Sequence, residues 1–416
     1  IPAIFREASE AALNHNSSGA KELASWAKRS EDGRSVASAL YLAKSDPRVY
    51  LQRSDAEKLD GNPYLLAVQN GTIDLRTGEL LPHRRDDLIT RIAPIEYDSD
   101  SKCPKWTAFL DRVFSGNQEL IGFIQRVVGY ALTGDISEQC AFFLVGAGCN
   151  GKSVFSDIVM SLLGDDLAAE TPADSIMLRK NDTGIPNDIA RLAGLRLVAV
   201  NETEDMGRLA EARMKGLTGG DKVAARFLHR EYFEFRPKFK IFLRSNHRPV
   251  ITGTDYGIWR RIRLIPFDVQ IPQEEQDKHL VEKLKAELPG ILRWAVEGAV
   301  AWHTAKDLQA PAVVIRECEE YRLSQDVLAG FLSEQCYIQK SAPWAVKTPA
   351  KKLYQAYLDW CESAKETPKN QTRFGEAMTE RGFRKSRDRN GITYEGIGLL
   401  SCVGYEQYEP FSGFPA

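Results

Sequence analysis

The residues best suited to chemistry form one run, Gly146-Ala147-Gly148-Cys149-Asn150-Gly151-Lys152-Ser153. It fits G-x-x-x-x-G-K-[ST], a loop that cradles nucleotide phosphates. Glycines carry no Cβ, so successive backbone N–H groups can close around a polyphosphate. A helix starting behind the loop adds positive partial charge at the same place. Gly146, Gly148, Asn150, Gly151, Lys152 and Ser153 are therefore the candidate nucleotide contacts, with ATP and Mg²⁺ as the expected ligands. Lys152 is suited to the β and γ phosphates, and the Ser153 hydroxyl to Mg²⁺.

Further candidates follow downstream. Leu195 to Val200 (LRLVAV) reads as a buried strand and ends in Asn201-Glu202-Thr203-Glu204. Acids at the C-terminal end of a strand beside a phosphate loop sit where a parallel sheet presents metal and water ligands. Glu202 is the first candidate for polarising an attacking water and contacting the metal, and Glu204 is the reserve; solvated surface carboxylates are the plainer alternative. Residues 222–240 (KVAARFLHREYFEFRPKFK) interleave Lys222, Arg226, Arg230, Arg236, Lys238 and Lys240 with aromatic rings. That pattern suits a hairpin offering charge to phosphates and rings to bases, or a half-buried strand with a solvated face. Lys240 to Ser245 reads as a third strand ending at Asn246, which can orient a water against a γ phosphate or simply close a turn. Arg260 and Arg261 follow a turn and are candidates for an arginine finger, with a salt-bridged surface pair as the alternative.

These residues need elements to hold them. Ala141 to Val145 (AFFLV) reads as a strand running into the phosphate loop, and Val154 to Leu163 as the helix leaving it. Upstream, Phe5 to Leu13, Ala20 to Trp26 and Val36 to Ala43 have helical spacing. Residues 65–75 predict a β-hairpin turning at Asn70-Gly71. Asp98 to Pro104 reads as a linker, followed by helices over Trp106–Val113 and Glu119–Leu132. Arg179 to Asp188 is a polar loop. Beyond the twin arginines the spacing predicts helices at Gln273–Glu287, Gly290–His303, Ile315–Cys336, Pro349–Ala364 and Gln371–Arg381. Phe383 to Leu399 then reads as two strands around Asn390-Gly391. Three helices and a basic hairpin outline a winged helix, in which Arg384, Lys385 and Arg387 reach a phosphate backbone or another protein.

The length of 416 residues predicts two to four domains. With no apolar run approaching 18 residues, neither a transmembrane helix nor a secretory signal is expected. Seven cysteines, none in C-x-x-C or beside histidines at ligand spacing, argue against zinc and for reduced thiols, hence a cytoplasmic setting. A net charge of −2 means that any nucleic-acid contact must be local. The start at Ile1 fits a piece of a longer polypeptide.

In order and compactness, the phosphate loop, acidic strand end, basic hairpin, Lys240-to-Asn246 strand and twin-arginine turn resemble the superfamily 3 helicase module of phage and plasmid primase-helicases, related to the poxvirus primase-helicase. Residues 60 to 135 and Leu288-Pro289-Gly290-Ile291-Leu292-Arg293-Trp294-Ala295 resemble the family's flanks. The resemblance implies an α/β fold: an AAA+ P-loop ATPase core (119–306) between an N-terminal mainly helical region with a β-hairpin (1–118) and a C-terminal winged helix (307–416). It also implies a ring, usually a hexamer, that moves along single-stranded DNA, typically 3′ to 5′, in a bacterial host cytoplasm. Glu202 then stands for the catalytic carboxylate, Asn246 for the sensor and Arg260 or Arg261 for the finger. His229 and Arg230 stand at the tip of the pore hairpin as DNA grips. No primase motif is visible, so any priming would come from a part of the protein outside this sequence, and an upstream primase domain or a partner polymerase is the expected associate. Two other classes share the phosphate loop: a packaging or remodelling ATPase, and an origin-binding initiator using ATP as a switch.

Overall fold

The computed structural model describes residues 17–30, 32–43, 46, 58–178, 187–201, 207–227, 230–253, 256–338, 346–388 and 391–400. The expected helix at Phe5–Leu13, most of the polar loop from Arg179, and the candidates Glu202, Glu204 and His229 lie outside these residues. Two compact units divide the chain, Ile1–Gly61 with Arg84–Thr90, and Asn62–His83 with Arg91–Ala416.

The first unit carries helices Ser17–Ser30 and Gly33–Ala43. Asp32 starts the second helix as an N-cap, its carboxylate accepting from the N–H groups of Arg34 and Ser35, both at 3.2 Å.

The second unit opens with a small sheet in the order β3-β2-β1-β4, made of Leu65–Val68 (β1), Gly71–Asp74 (β2), Glu79–Leu81 (β3) and Ile92–Ala93 (β4). The expected hairpin is present, but Val68 pairs with Gly71, so the turn is Gln69-Asn70 and not Asn70-Gly71. The shift has a cause. The Asn70 amide donates to Tyr97 O at 2.8 Å and accepts from Tyr97 N at 2.9 Å, clamping the returning chain.

The main sheet has five parallel strands: Ala141–Val145 (β5), Ala168–Pro172 (β6), Leu197–Asn201 (β7), Lys240–Ser245 (β10) and Ile262–Pro266 (β11), in the order β11-β5-β10-β7-β6. Parallel sheets are covered on both faces, which accounts for the near-continuous apolar strands. Phe142, Leu144 and Phe242 join one core with helices Pro104–Val113, Gln118–Leu132, Lys152–Leu167 and Leu288–Ala305. Phe143, Val198, Val200, Ile241 and Leu243 join a second core on the opposite face. Helices Gln118–Leu132 and Leu288–Ala305 cross backbone to backbone: a Cβ on Gly129 would lie 2.0 Å from Ala299 N, and one on Gly298 would lie 2.0 Å from Gln125 O.

Between β7 and β10, Val223–Ala225 (β8) and Phe233–Phe235 (β9) form an antiparallel hairpin. The C-terminal part has its own core around Phe331, Tyr357 and Phe374. The continuous helix expected at Ile315–Cys336 is two helices, Ala312–Ser324 and Val327–Gln335. Asp326 breaks it, accepting from Ala329 N at 3.1 Å as an N-cap while Arg381 holds its carboxylate. Likewise Gln273–Glu287 holds a 3₁₀ turn at Gln273–Glu275 and a short helix, Leu280–Lys285. Helices Ala350–Ala364 and Gln371–Glu380 precede Lys385–Asp388 (β14), Gly391–Glu395 (β15) and Ile397–Leu399 (β16). The terminal segment is thus three strands, not two; β15 also pairs with Lys347–Pro349 (β13), and β16 with Cys336–Ile338 (β12). Among the described residues, no helix is long and apolar enough to cross a membrane.

Candidate functional site

The phosphate-loop sequence lies at the C-terminal end of β5 and runs directly into helix Lys152–Leu167. Gly146 meets its surroundings so closely that a Cβ would sit 2.2 Å from Asn150 Nδ2 and 2.3 Å from Phe267 O. Gly151, the helix N-cap, has φ +85, a left-handed conformation that disfavours any side chain. The loop is pinned at its rear by Phe267 N donating to Val145 O and Ile271 N to Cys149 O, both at 2.8 Å.

Lys152 is buried, and its Nζ donates to Gly146 O at 2.6 Å, Asn150 Oδ1 at 2.9 Å and Asn246 Oδ1 at 3.1 Å. The buried Asn150 also donates from Nδ2 to Phe267 O at 3.0 Å, so it orients the lysine instead of presenting itself to solvent. Three oxygens surround the ammonium, a geometry that phosphate oxygens can take over. Ser153 is exposed in the first turn of the helix.

Strand order brings distant sequence together here. β10 lies between β5 and β7, so Asn246 follows the strand next to the phosphate loop, and β7 delivers Asn201 one strand further on. Arg244 on β10 reaches across to Asn201 Oδ1 at 2.6 Å, Asp157 Oδ1 at 2.6 Å and Glu170 Oε1 at 2.5 Å. Sequence reasoning passed over Arg244; its signal was a charge inside the apolar strand KIFLRS.

Arg260 and Arg261 differ in placement. Arg260 is exposed and donates to Gln139 Oε1 at 2.7 Å, whereas Arg261 is half-buried and donates back to Gly257 O at 2.5 Å. They sit directly before β11, the edge strand of the main sheet.

In the β8–β9 hairpin, Lys222, Arg226 and Arg230 are exposed. The Arg226 guanidinium lies 4.9 Å from the Tyr232 ring centroid, and Phe227 stacks on Phe233 at 5.7 Å. Lys240 does not share this surface. Its Nζ is buried, donating to Thr133 O at 2.6 Å and Thr133 Oγ1 at 3.1 Å, with the Tyr130 ring centroid 4.4 Å away. Arg196 binds the Leu132 carbonyl beside it. The two basic side chains donate to the orphan carbonyls at the C-terminal end of helix Gln118–Leu132. Burial pushes the Lys240 pKa well below its usual 10.5, the Arg196 charge adds to that, and the Asp135 carboxylate opposes it.

In the C-terminal part, Arg384, Lys385 and Arg387 are exposed on or beside β14, with Lys385 Nζ donating to Gly375 O at 2.8 Å. No cluster of three or more His, Cys, Asp or Glu side chains suited to a metal is present among the described residues.

Fold and site define a mixed α/β protein with a parallel sheet and a glycine-rich strand–loop–helix at its carboxyl end. Residues 1–115 match the family model described as D5 N terminal like. "Putative helicase L207/L206" of Acanthamoeba polyphaga mimivirus is 29% identical over 331 residues, covering 73% of this chain and 34% of that protein. "Putative primase C962R" of African swine fever virus is 25% identical over 339 residues, covering 75% and 34%. "Putative helicase 121R" of Invertebrate iridescent virus 3 is 24% identical over 338 residues, covering 73% and 36%. The chain is thus a relative of helicases and primases so named in large DNA viruses, and it spans about a third of the length of the curated relatives it matches. Among solved structures, "The apo structure of NrS-1 C terminal region" is similar with a TM-score of 0.46 and 10% identity, covering 81% of this chain and 83% of that one.

Proposed function

We propose that this chain is the helicase part of a primase-helicase, an AAA+ ATPase of superfamily 3 that forms a ring, usually of six copies, and moves along single-stranded DNA, 3′ to 5′. The observation that carries the reading is the order β11-β5-β10-β7-β6, with Lys152 Nζ 3.1 Å from Asn246 Oδ1. It supports the reading by bringing Lys152, Asn246 and the end of β7, which Glu202 follows in sequence, to the carboxyl ends of three adjacent strands. The domain division 1–118, 119–306 and 307–416, with the last as a winged helix, belongs to this proposal. So do a phage or mobile-element origin, with a bacterial cytoplasm as its setting, and an upstream primase or partner polymerase.

The site fits ATP and Mg²⁺ by its chemistry: a cradle closed by Gly146, positive φ at Gly148 and Gly151, a buried ammonium held by oxygens, and an exposed serine hydroxyl beside it. Mg²⁺ would supply charge neutralisation on the phosphates, held by Ser153 with Glu202. Lys152 leaves its three oxygens for the β and γ phosphates, and Asn246 is freed to orient water. Glu202, or Glu204 in its stead, polarises that water. Arg260, exposed just before the edge strand β11, is the better finger toward a neighbour's nucleotide, and Arg261 the lesser. The hairpin offers Lys222, Arg226, His229 and Arg230 to the DNA backbone, while Arg384, Lys385 and Arg387 form a second contact.

The test is the ATPase rate against protein concentration, with and without single-stranded DNA, for wild type and Lys152→Ala. A rate per subunit rising with both variables and abolished in the variant is expected. A slow rate, flat in both and lost in Lys152→Ala, overturns the motor and favours an initiator that uses nucleotide as a switch.

A further inference from the structure

Arg244 has no part in the chemistry above, yet it ties its own strand to three elements around it. Its side chain is only 11% exposed. Nε donates to Asn201 Oδ1 (2.6 Å), Nη1 to Asp157 Oδ1 (2.6 Å) and Nη2 to Glu170 Oε1 (2.5 Å), with a further bond from Nη2 to Asn201. The Asn201 amide donates in turn to Glu170 Oε2 at 3.1 Å. One guanidinium on β10 therefore binds the end of β7, the edge strand β6 and the phosphate-loop helix.

Two details give the network a direction. Asp157 lies four residues after Ser153, on the same face of the helix that begins at the phosphate loop. Asn201 is the last residue of β7, and Glu202 follows it in sequence. An amide is required at 201, because its oxygen faces the guanidinium and its NH₂ faces a carboxylate. An aspartate there would set two carboxylates against each other. All three nitrogens of the guanidinium already serve these acceptors, so it is engaged as a fork and not held in reserve for phosphate.

We propose that Arg244 is a positioning residue: it fixes the end of β7, from which Glu202 follows in sequence, at a set distance from the phosphate-loop helix. This rests on the ATPase reading of the site. The chemistry needs that distance, since misplacing a reacting group by about 1 Å costs on the order of 10²-fold in rate.

The experiment compares full-length wild type, Arg244→Ala, Arg244→Lys and Asn201→Ala by steady-state ATPase, thermal unfolding and backbone hydrogen exchange. Arg244→Ala is expected to lower kcat by about 10- to 100-fold while KM for ATP stays within about threefold. A lysine carries one point charge and no fork, so Arg244→Lys is expected to recover little. Exchange at 168–172 and 197–201 is expected to quicken in both variants. Asn201→Ala leaves Arg244 paired with Asp157 and Glu170, so it tests the same link even where Arg244→Ala folds poorly; it too is expected to lower kcat with KM unchanged. Full recovery by lysine, an unaltered kcat, or unchanged exchange at the two strand ends overturns the proposal. Should wild type hydrolyse no ATP, the ATPase reading fails by itself, and exchange alone then decides whether Arg244 holds β7 in place.

Discussion

Lys240→Met separates two roles that the sequence leaves entangled, gripping DNA and capping a helix. The amino group is fully buried against Thr133 and the Tyr130 ring, and its pKa is held well below 10.5. Methionine keeps the length and removes the donor. The Thr133 carbonyl then loses its lysine partner, which costs about 1–3 kcal/mol when the group stays dry. Thr133 Oγ1 keeps its bond to Tyr130 O at 2.8 Å and contributes little to that cost. Between the depressed folded pKa and 10.5, the unfolded chain holds a proton that the folded chain lacks. Stability from this residue therefore rises with pH across that window, by at most about 1.4 kcal/mol per pH unit, and is lost as pH falls through it. Urea unfolding of both proteins over a series of pH values up to 10.5 at constant ionic strength measures the difference, and buried thiols such as Cys140, pushed up to about 12 by burial, cancel between them. The wild type should gain on Lys240→Met as pH rises, while affinity for single-stranded DNA stays the same. A difference independent of pH would refute the buried neutral amine. A loss of DNA affinity as large as that of Arg230→Ala would refute the capping role.

Two further outcomes test the scaffold and the proposed interface. Gly129→Ala puts a Cβ 2.0 Å from Ala299 N and 2.4 Å from Gly298 C, so the two helices must part; a loss of about 3 kcal/mol, read as a fall in Tm of roughly 6–12 °C, is expected, and a Tm within about 2 °C of wild type would show that the crossing relaxes freely. Arg260→Ala should abolish turnover with nucleotide binding intact, and mixing it with Lys152→Ala should restore part of the rate, because each copy supplies what the other lacks; no recovery on mixing would rule out a shared site.

The strand–loop–helix around Gly146–Ser153 was legible because its signal is local: strand, glycines, lysine and helix follow one another within about two dozen residues. The strands AFFLV and KIFLRS were legible for the same reason, as apolar runs. β6 was not, since Ala-Ala-Glu-Thr-Pro has neither an apolar run nor alternation, and only its neighbour β7 makes it a strand. The order of strands is a property of pairing at long range, which no window of sequence contains. Lys240 reads as one more cation in a basic stretch, and only the position of the helix end beneath it turns it inward. Asp326 shows the opposite error: helical spacing runs through it, and a carboxylate that caps the next turn ends the helix regardless. Arg244 and Asn201 make sense only together, forty-three residues apart in sequence and joined across adjacent strands.

A bare strand edge is a row of unpaired backbone groups that invites another molecule to dock, as in fibrous aggregates. β11 is such an edge, but helix Ala312–Ser324 lies against it, and the Cys318 thiol meets its backbone, accepting from Leu264 N at 3.2 Å and donating to Ile262 O at 3.5 Å. At the other side, β6 is five residues long and ends in Pro172, which has no N–H to offer. Both edges of the main sheet are therefore guarded against strand addition, β11 by a packed helix and β6 by its short length and terminal proline.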